Sequence, residues 1–161
     1  MPEGAPAAGG FELSGRVAVR YGTDSATGGV QWRHSEAADD LLITNPLGQG
    51  VARITRDNNE VQLEAADGRK ESAPDAETLT ERVLGWRLPL EGLPAWVRAQ
   101  PIAGRPADVT RDDQQRVREL RQDGWLVEYL EHEGERPSRM KLSRPGLEIL
   151  LIIQSWQAAA P

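Results

Sequence analysis

From Phe11 to Tyr21 the chain alternates without a break, with Phe11, Leu13, Gly15, Val17, Val19 and Tyr21 on one side and Glu12, Ser14, Arg16, Ala18 and Arg20 on the other. A period of two marks a strand with one apolar face, because successive side chains of extended backbone point to opposite sides. A strand of this length needs partners along both edges and a cover over its apolar face. The rest of the chain must therefore supply a sheet and something that buries it.

The sheet follows directly. Gly22 to Thr27 reads as a turn, and Gly29 to Arg33 returns with Val30 and Trp32 on one face. After a polar stretch from His34, two strands, Asp40 to Thr44 and Val51 to Thr55, flank the turn Asn45-Pro46-Leu47-Gly48-Gln49-Gly50. Pro46 fixes φ, and Gly48 and Gly50 permit left-handed or bulged backbone, so Leu47 is predicted to stand out at the tip. Taken alone, Leu47 is equally a residue folded back on a core edge or an isolated exposed leucine. Asp57-Asn58-Asn59 reverses the chain, and Val61, Leu63 and Ala65 alternate before the hairpin dipeptide Asp67-Gly68. The first part of the chain is thus an antiparallel meander.

The period then changes. Ser72-Ala73-Pro74-Asp75 fits a helix start, Ala76, Leu79, Val83 and Trp86 recur at helical spacing, and Gly85 can end the helix. Arg87 to Leu90 is extended, and a second short helix is predicted over 91–99 with Leu93, Trp96 and Val97 on one side. Pro101 to Asp113 reads as a polar connection or lid edge. Strands resume over Arg116 to Arg121, Trp125 to Leu130, around Met140 and Leu142, and from Leu147 to Trp156. Residues 1–10, mostly Pro, Gly and Ala, read as a flexible arm, 11–156 as one domain, and 157–161 as a loose tail.

Composition excludes several functions. A net charge of -6, from 25 acids and 19 bases, does not suit a nucleic-acid surface. The absence of cysteine removes disulfides and thiolate metal sites. The histidines, His34 and His132, lie far apart in polar stretches and read as solvated, so neither a metal site nor a triad is expected. The carboxylate pairs Asp39-Asp40 and Asp112-Asp113 fall in polar turns, where catalytic carboxylates gain no raised pKa. With no nucleotide loop either, neither an enzyme nor a cofactor is expected. No segment reads as a membrane span, and the N-terminus does not read as a signal peptide.

Five pieces occur in order: Phe11 through Gly15-Arg16-Val17-Ala18-Val19; Trp32; Asn45-Pro46-Leu47-Gly48; Asp75-Ala76-Glu77 through Leu84-Gly85-Trp86, Leu88-Pro89-Leu90 and Trp96; and Gln122-Asp123-Gly124-Trp125 with Tyr129. Together they resemble the LolB family of outer-membrane lipoprotein receptors of Gram-negative bacteria, from Phe11 to Trp156. The resemblance implies a mainly β fold, an incomplete antiparallel β-barrel of about ten or eleven strands under a helical lid, with a hydrophobic cavity between. It implies a non-enzymatic receptor on the periplasmic face of the outer membrane; a monomer is the default expectation. Such a receptor takes triacylated lipoproteins from a LolA-like periplasmic carrier and delivers them to outer-membrane phospholipids without ATP. It also implies that Pro46, Leu47 and Gly48 form a membrane-insertion loop. The family is anchored through a lipidated N-terminal cysteine; with no cysteine here, a processed, unanchored form is expected.

Apolar residues predicted to face inward, and so to be candidates for an acyl-chain cavity, are Val17, Val19, Trp32, Leu42, Leu63, Leu79, Val83, Trp86, Trp96, Trp125, Val127, Leu150 and Ile152. Alternation does not separate cavity wall from plain core. Two other classes stay open: a soluble LolA-like carrier of lipid or lipoprotein on the same scaffold, and an interaction domain whose cavity is filled by its own side chains.

Overall fold

The computed structural model describes residues 9–158, so the predicted arm, apart from Gly9 and Gly10, and the last three residues lie outside the described residues. The elements in chain order are β1 Phe11–Tyr21, β2 Asp24–His34, β3 Asp39–Thr44, β4 Gly50–Arg56, β5 Val61–Ala65, β6 Lys70–Ala73, α1 Ala76–Leu84, α2 Leu93–Trp96, β7 Asp108–Arg111, β8 Val117–Gln122, β9 Trp125–Glu133, β10 Arg136–Arg144 and β11 Leu147–Ala158. The strands form a single 11-stranded sheet in the order β6-β5-β4-β3-β2-β1-β11-β10-β9-β8-β7. Two meanders are joined where β1 pairs antiparallel with β11, from Tyr21 opposite Leu147 to Phe11 opposite Ala158. The sheet stays open, with β6 and β7 as its edges.

The alternation of β1 sets which face is covered. Phe11, Leu13 and Val19 are buried, and register carries that face to Val30 and Trp32, Leu41 and Ile43, and Ile54 and Leu63 on one side, and to Ile149, Leu151, Leu142 and Val127 on the other. The segment between the meanders lies over this face and buries Leu79, Trp86, Leu88, Leu90, Leu93, Trp96 and Val97 against it. The sheet is bent at the join. Ser14 pairs with Ser155 but Gly15 with Ile153, so Gln154 is an extra residue in β11. A Cβ on Gly15 would stand 1.9 Å from the Ile152 carbonyl oxygen, and one on Gly28 the same distance from that of Thr44. Bulges and such close approaches coil a sheet.

Several elements differ from the sequence reading. The N-cap of α1 is Asp75, whose carboxylate accepts the Thr78 N–H at 2.8 Å, while Ala73 belongs to β6. Gly85 closes α1 at φ 92°, leaving Trp86 beyond the helix. The second helix shrinks to the single turn Leu93–Trp96. β2 begins at Asp24 rather than Gly29, since its first half pairs with β1 through backbone alone and shows no apolar period. β7 occupies part of the predicted polar connection; all four of its residues are exposed, so no apolar face announced it. β11 runs on to Ala158, past the predicted start of the tail.

His34 is buried, against the expectation of a solvated ring, and so is Asp39 of the supposedly polar pair. The Asp39 Oδ1 accepts from Trp32 Nε1 at 2.8 Å and lies 2.7 Å from His34 Nδ1, while Oδ2 accepts from Arg56 Nε at 2.6 Å. Because an ionised carboxylate only accepts, the His34 hydrogen facing it sits on Nδ1. Burial pushes the Asp39 pKa up, but the contacts from His34, Arg56 and Trp32 outweigh it and hold the carboxyl below its ordinary range.

Candidate functional site

Two features stand out, an exposed leucine in a turn at one end of the strands and an apolar cavity under the lid. The turn between β3 and β4 is built on Asn45. Its side-chain Oδ1 accepts the N–H groups of Leu47 at 2.9 Å and Gln49 at 3.0 Å, and its Nδ2 donates to Gln49 Oε1 at 3.0 Å. The backbone closes the same loop, with Asn45 N–H on Gln49 O at 2.8 Å and Gly48 N–H on Asn45 O at 2.9 Å. Gly48 takes φ 86°, which a side chain rarely adopts. An Asx turn of this kind fixes the loop through its own atoms. Leu47 is 84% exposed, so it is not folded back on a core edge.

The cavity lies between lid and sheet. Leu13, Val17, Val30, Trp32, Leu41 and Ile43 line it from β1 to β3, Leu142, Ile149 and Leu151 from β10 and β11, and Trp86, Leu88, Pro89 and Leu93 from the lid. Its free space is about 40 Å³. A single water needs roughly 10–15 Å³, so this space has room for very small molecules and not for an acyl chain. Among the described residues no group of His, Asp and Glu is placed to hold a metal ion.

The lid is fastened unevenly. Gln122, buried in β8, accepts from Trp96 Nε1 at 3.0 Å and from Ile102 N–H at 2.7 Å, and donates to the Ile102 carbonyl at 3.1 Å. The Tyr129 hydroxyl donates to the Trp96 carbonyl at 2.6 Å, and burial pushes its pKa up, so it remains a donor. The Arg98 guanidinium lies 4.9 Å over the Phe11 ring and bonds the Gly9 carbonyl. By contrast, Leu88 N–H bonds Thr80 Oγ1 at 2.9 Å, within the lid itself, and among the described residues none of 86–93 hydrogen-bonds to a strand. The cavity roof is thus held by apolar contact and the Trp96 end by hydrogen bonds.

Of the residues predicted for the cavity, Val17, Trp32 and Trp86 line it. Val19, Leu63, Leu79, Trp96, Trp125 and Val127 are buried core outside its wall, and Val83 is half-buried against that core. Leu42, Leu150 and Ile152 are corrected: they lie half-exposed on the opposite face, and Leu41, Ile43, Ile149 and Leu151 take the inward positions. Continuous apolar runs carry no period, so only register with β1 and β2 decides their facing. Leu13 was missed although it shares the alternation of Val17. Leu88 and Pro89 lie in extended lid backbone and had no periodic signal.

Among the described residues no helix is long and apolar enough to cross a membrane. A family model described as "Outer membrane lipoprotein LolB" matches residues 9–156. The chain is 42% identical over 155 residues to the outer-membrane lipoprotein LolB of Thiobacillus denitrificans, covering 96% of this chain and 83% of that protein. With LolB of Nitrosomonas europaea it shares 37% over 153 residues, covering 91% and 72%. Among solved structures it resembles a LolA superfamily protein from Nitrosomonas europaea, with a TM-score of 0.55 and 12% identity over 93% of this chain and 87% of that one. It also resembles a DUF1329 family protein from Desulfovibrio piger, with a TM-score of 0.58 and 8% identity over 95% and 86%. Those two structures show the fold alone. Its sequence matches and its open, lid-covered sheet agree, and the chain belongs to the LolB family of outer-membrane lipoproteins.

Proposed function

We propose that the protein is a non-enzymatic receptor that accepts acylated lipoproteins from a LolA-like periplasmic carrier into the apolar cavity and passes them to outer-membrane phospholipids through the loop Pro46, Leu47 and Gly48. The observation that carries this reading is Leu47, 84% exposed at the tip of a turn whose backbone is locked by Asn45. A soluble carrier on the same scaffold has no use for such a tip.

Magnitudes constrain the mechanism. Burying one leucine in lipid is worth roughly 1.5–3 kcal/mol. One myristoyl chain gives only marginal, reversible membrane binding, so Leu47 acts at the moment of encounter and does not anchor. Each acyl CH₂ moved out of water contributes about 0.8 kcal/mol, so partial contact with acyl chains holds a cargo. The bilayer offers more contact than the cavity, and transfer runs downhill without ATP. Loading requires the roof over 86–93 to lift, which breaks apolar contacts and no hydrogen bond to the sheet.

The test is delivery of a lipoprotein to outer-membrane vesicles. Leu47→Glu is expected to fold and to bind acylated cargo as the parent does, yet to stop delivery. Delivery at the parental rate removes the loop from the mechanism. Failure of the parent to take cargo from the carrier removes the receptor reading itself.

A further inference from the structure

Acids outnumber bases in this chain, 25 to 19, so a carboxylate is within reach of most cations. Most basic side chains use one, as Arg53 does with Asp40, Arg82 with Glu71 and Lys141 with Glu128. Among the described residues, Arg16, Arg20, Arg69, Lys70 and Arg118 have neither an ion pair nor a side-chain hydrogen bond. Two of them, Arg69 and Lys70, are consecutive and exposed where the β5–β6 turn meets β6.

That turn is the neighbour of the Leu47 loop. β4 and β5 pair with Ala52 opposite Ala65, and Ala66 N–H donates to the Val51 carbonyl at 3.1 Å. Both hairpins therefore turn at the same end of the strands, about 10 Å apart at two strand spacings. The nearby acids are Asp67, Glu71 and Glu64. Asp67 Oδ1 accepts the Arg69 N–H at 2.9 Å, Glu71 is taken by Arg82, and Glu64, opposite Lys70 in the sheet, makes no ion pair. The Asn45 to Gly50 loop carries no charge.

We infer that Arg69 and Lys70 form a headgroup-binding step beside Leu47, which makes this edge of the protein prefer a bilayer surface containing anionic phospholipid. An exposed apolar side chain flanked by unpaired cations is the composition that binds a lipid interface, the apolar part entering and the cations meeting phosphates. An acidic protein surface would satisfy the cations but leave Leu47 in water. The inference rests on the reading that Leu47 meets the membrane. Each cation close to an anionic surface strengthens association by roughly fivefold, and the two together by about 25-fold at low salt.

The experiment is equilibrium binding of the intact chain to vesicles of phosphatidylcholine alone and of three parts phosphatidylcholine to one part phosphatidylglycerol. The parent is expected to bind the anionic vesicles at least tenfold more tightly, with the gain lost in high salt. The double variant Arg69→Gln with Lys70→Gln should lose that gain and bind neutral vesicles as the parent does. Arg16→Gln with Arg118→Gln makes the same charge change elsewhere and should keep most of the preference. No preference in the parent, or equal loss in both double variants, overturns the inference. It is also overturned if the first double variant fails only in taking cargo from the carrier, which would assign the cations to a protein partner. Leu47→Glu separates the two readings: if it binds neutral vesicles and delivers cargo like the parent, the loop reading fails. If the parent delivers cargo but shows no anionic preference, the headgroup inference fails alone.

Discussion

The side-chain oxygen of Asn45 accepts the backbone N–H of Leu47 at 2.9 Å, so the most exposed large apolar residue among the described residues is positioned by a side chain two residues before it. The same oxygen holds Gln49. Rigidity matters here because a leucine already fixed outward loses little conformational entropy when it enters lipid.

Asn45→Ala removes this acceptor and the bond to Gln49. Its expected cost to global stability is about 1 kcal/mol, the net worth of a hydrogen-bonded turn that water can rescue. Delivery should fall much further than stability, with acyl binding unchanged. Asn45→Asp keeps the acceptor and should restore most of the delivery rate. Equal losses in both variants would mean that loop geometry is irrelevant.

The lid fastening gives a second prediction. Gln122 is the single acceptor for two N–H groups, those of Trp96 and Ile102. Gln122→Leu leaves both without it, at about 1–3 kcal/mol for each buried donor. Denaturant unfolding should report a loss of about 3 kcal/mol, and hydrogen exchange should speed up first at 96–102. A variant that unfolds like the parent would show that the Trp96 end is held by packing alone.

Asp39 supplies a pH dependence. Its folded pKa lies below the ordinary value of 3.8, so the stability it contributes is complete above that value and is lost as pH falls through the folded pKa. Asp39→Asn should be less stable at neutral pH by about 3–5 kcal/mol, because Arg56 loses its buried counter-charge and the His34 Nδ1 loses its carboxylate partner. It should also lose less on acidification than the parent. Unfolding midpoints at neutral pH and at about pH 3 test this. Parallel declines in both proteins would place the acid-sensitive group elsewhere.

The architecture was legible where period and punctuation agreed. β1, the Asn45 to Gly50 turn, α1 with its Gly85 stop, and the Asp123-Gly124 hairpin all follow from local residues. What was not legible depends on pairing. Leu41-Leu42-Ile43 and the run from Ile149 to Ile153 are apolar throughout, and only their partners decide that Leu42, Leu150 and Ile152 face outward. Asp39 and His34 look like turn residues because their burial comes from other strands, that of Asp39 from Trp32 and Arg56 and that of His34 from Phe11 and Asp39. β7 has no apolar face and exists by backbone pairing with β8.

The size of the cavity gives the last prediction. About 40 Å³ of free space bounded by Val17, Trp32 and Trp86 means that the closed lid and an acyl chain exclude each other. Val17→Phe, from half-buried β1, places a ring where the chain would enter. Overpacking of this kind costs about 1–3 kcal/mol, well short of unfolding a domain of this size. The variant should keep its vesicle binding through Leu47 while acyl-chain affinity falls about tenfold, which corresponds to 1.4 kcal/mol. Titration with a fluorescent fatty acid and with acylated lipoprotein measures both. Unchanged affinity for both ligands would mean that the space under the lid is ordinary core, and that the acyl chains lie elsewhere on the protein.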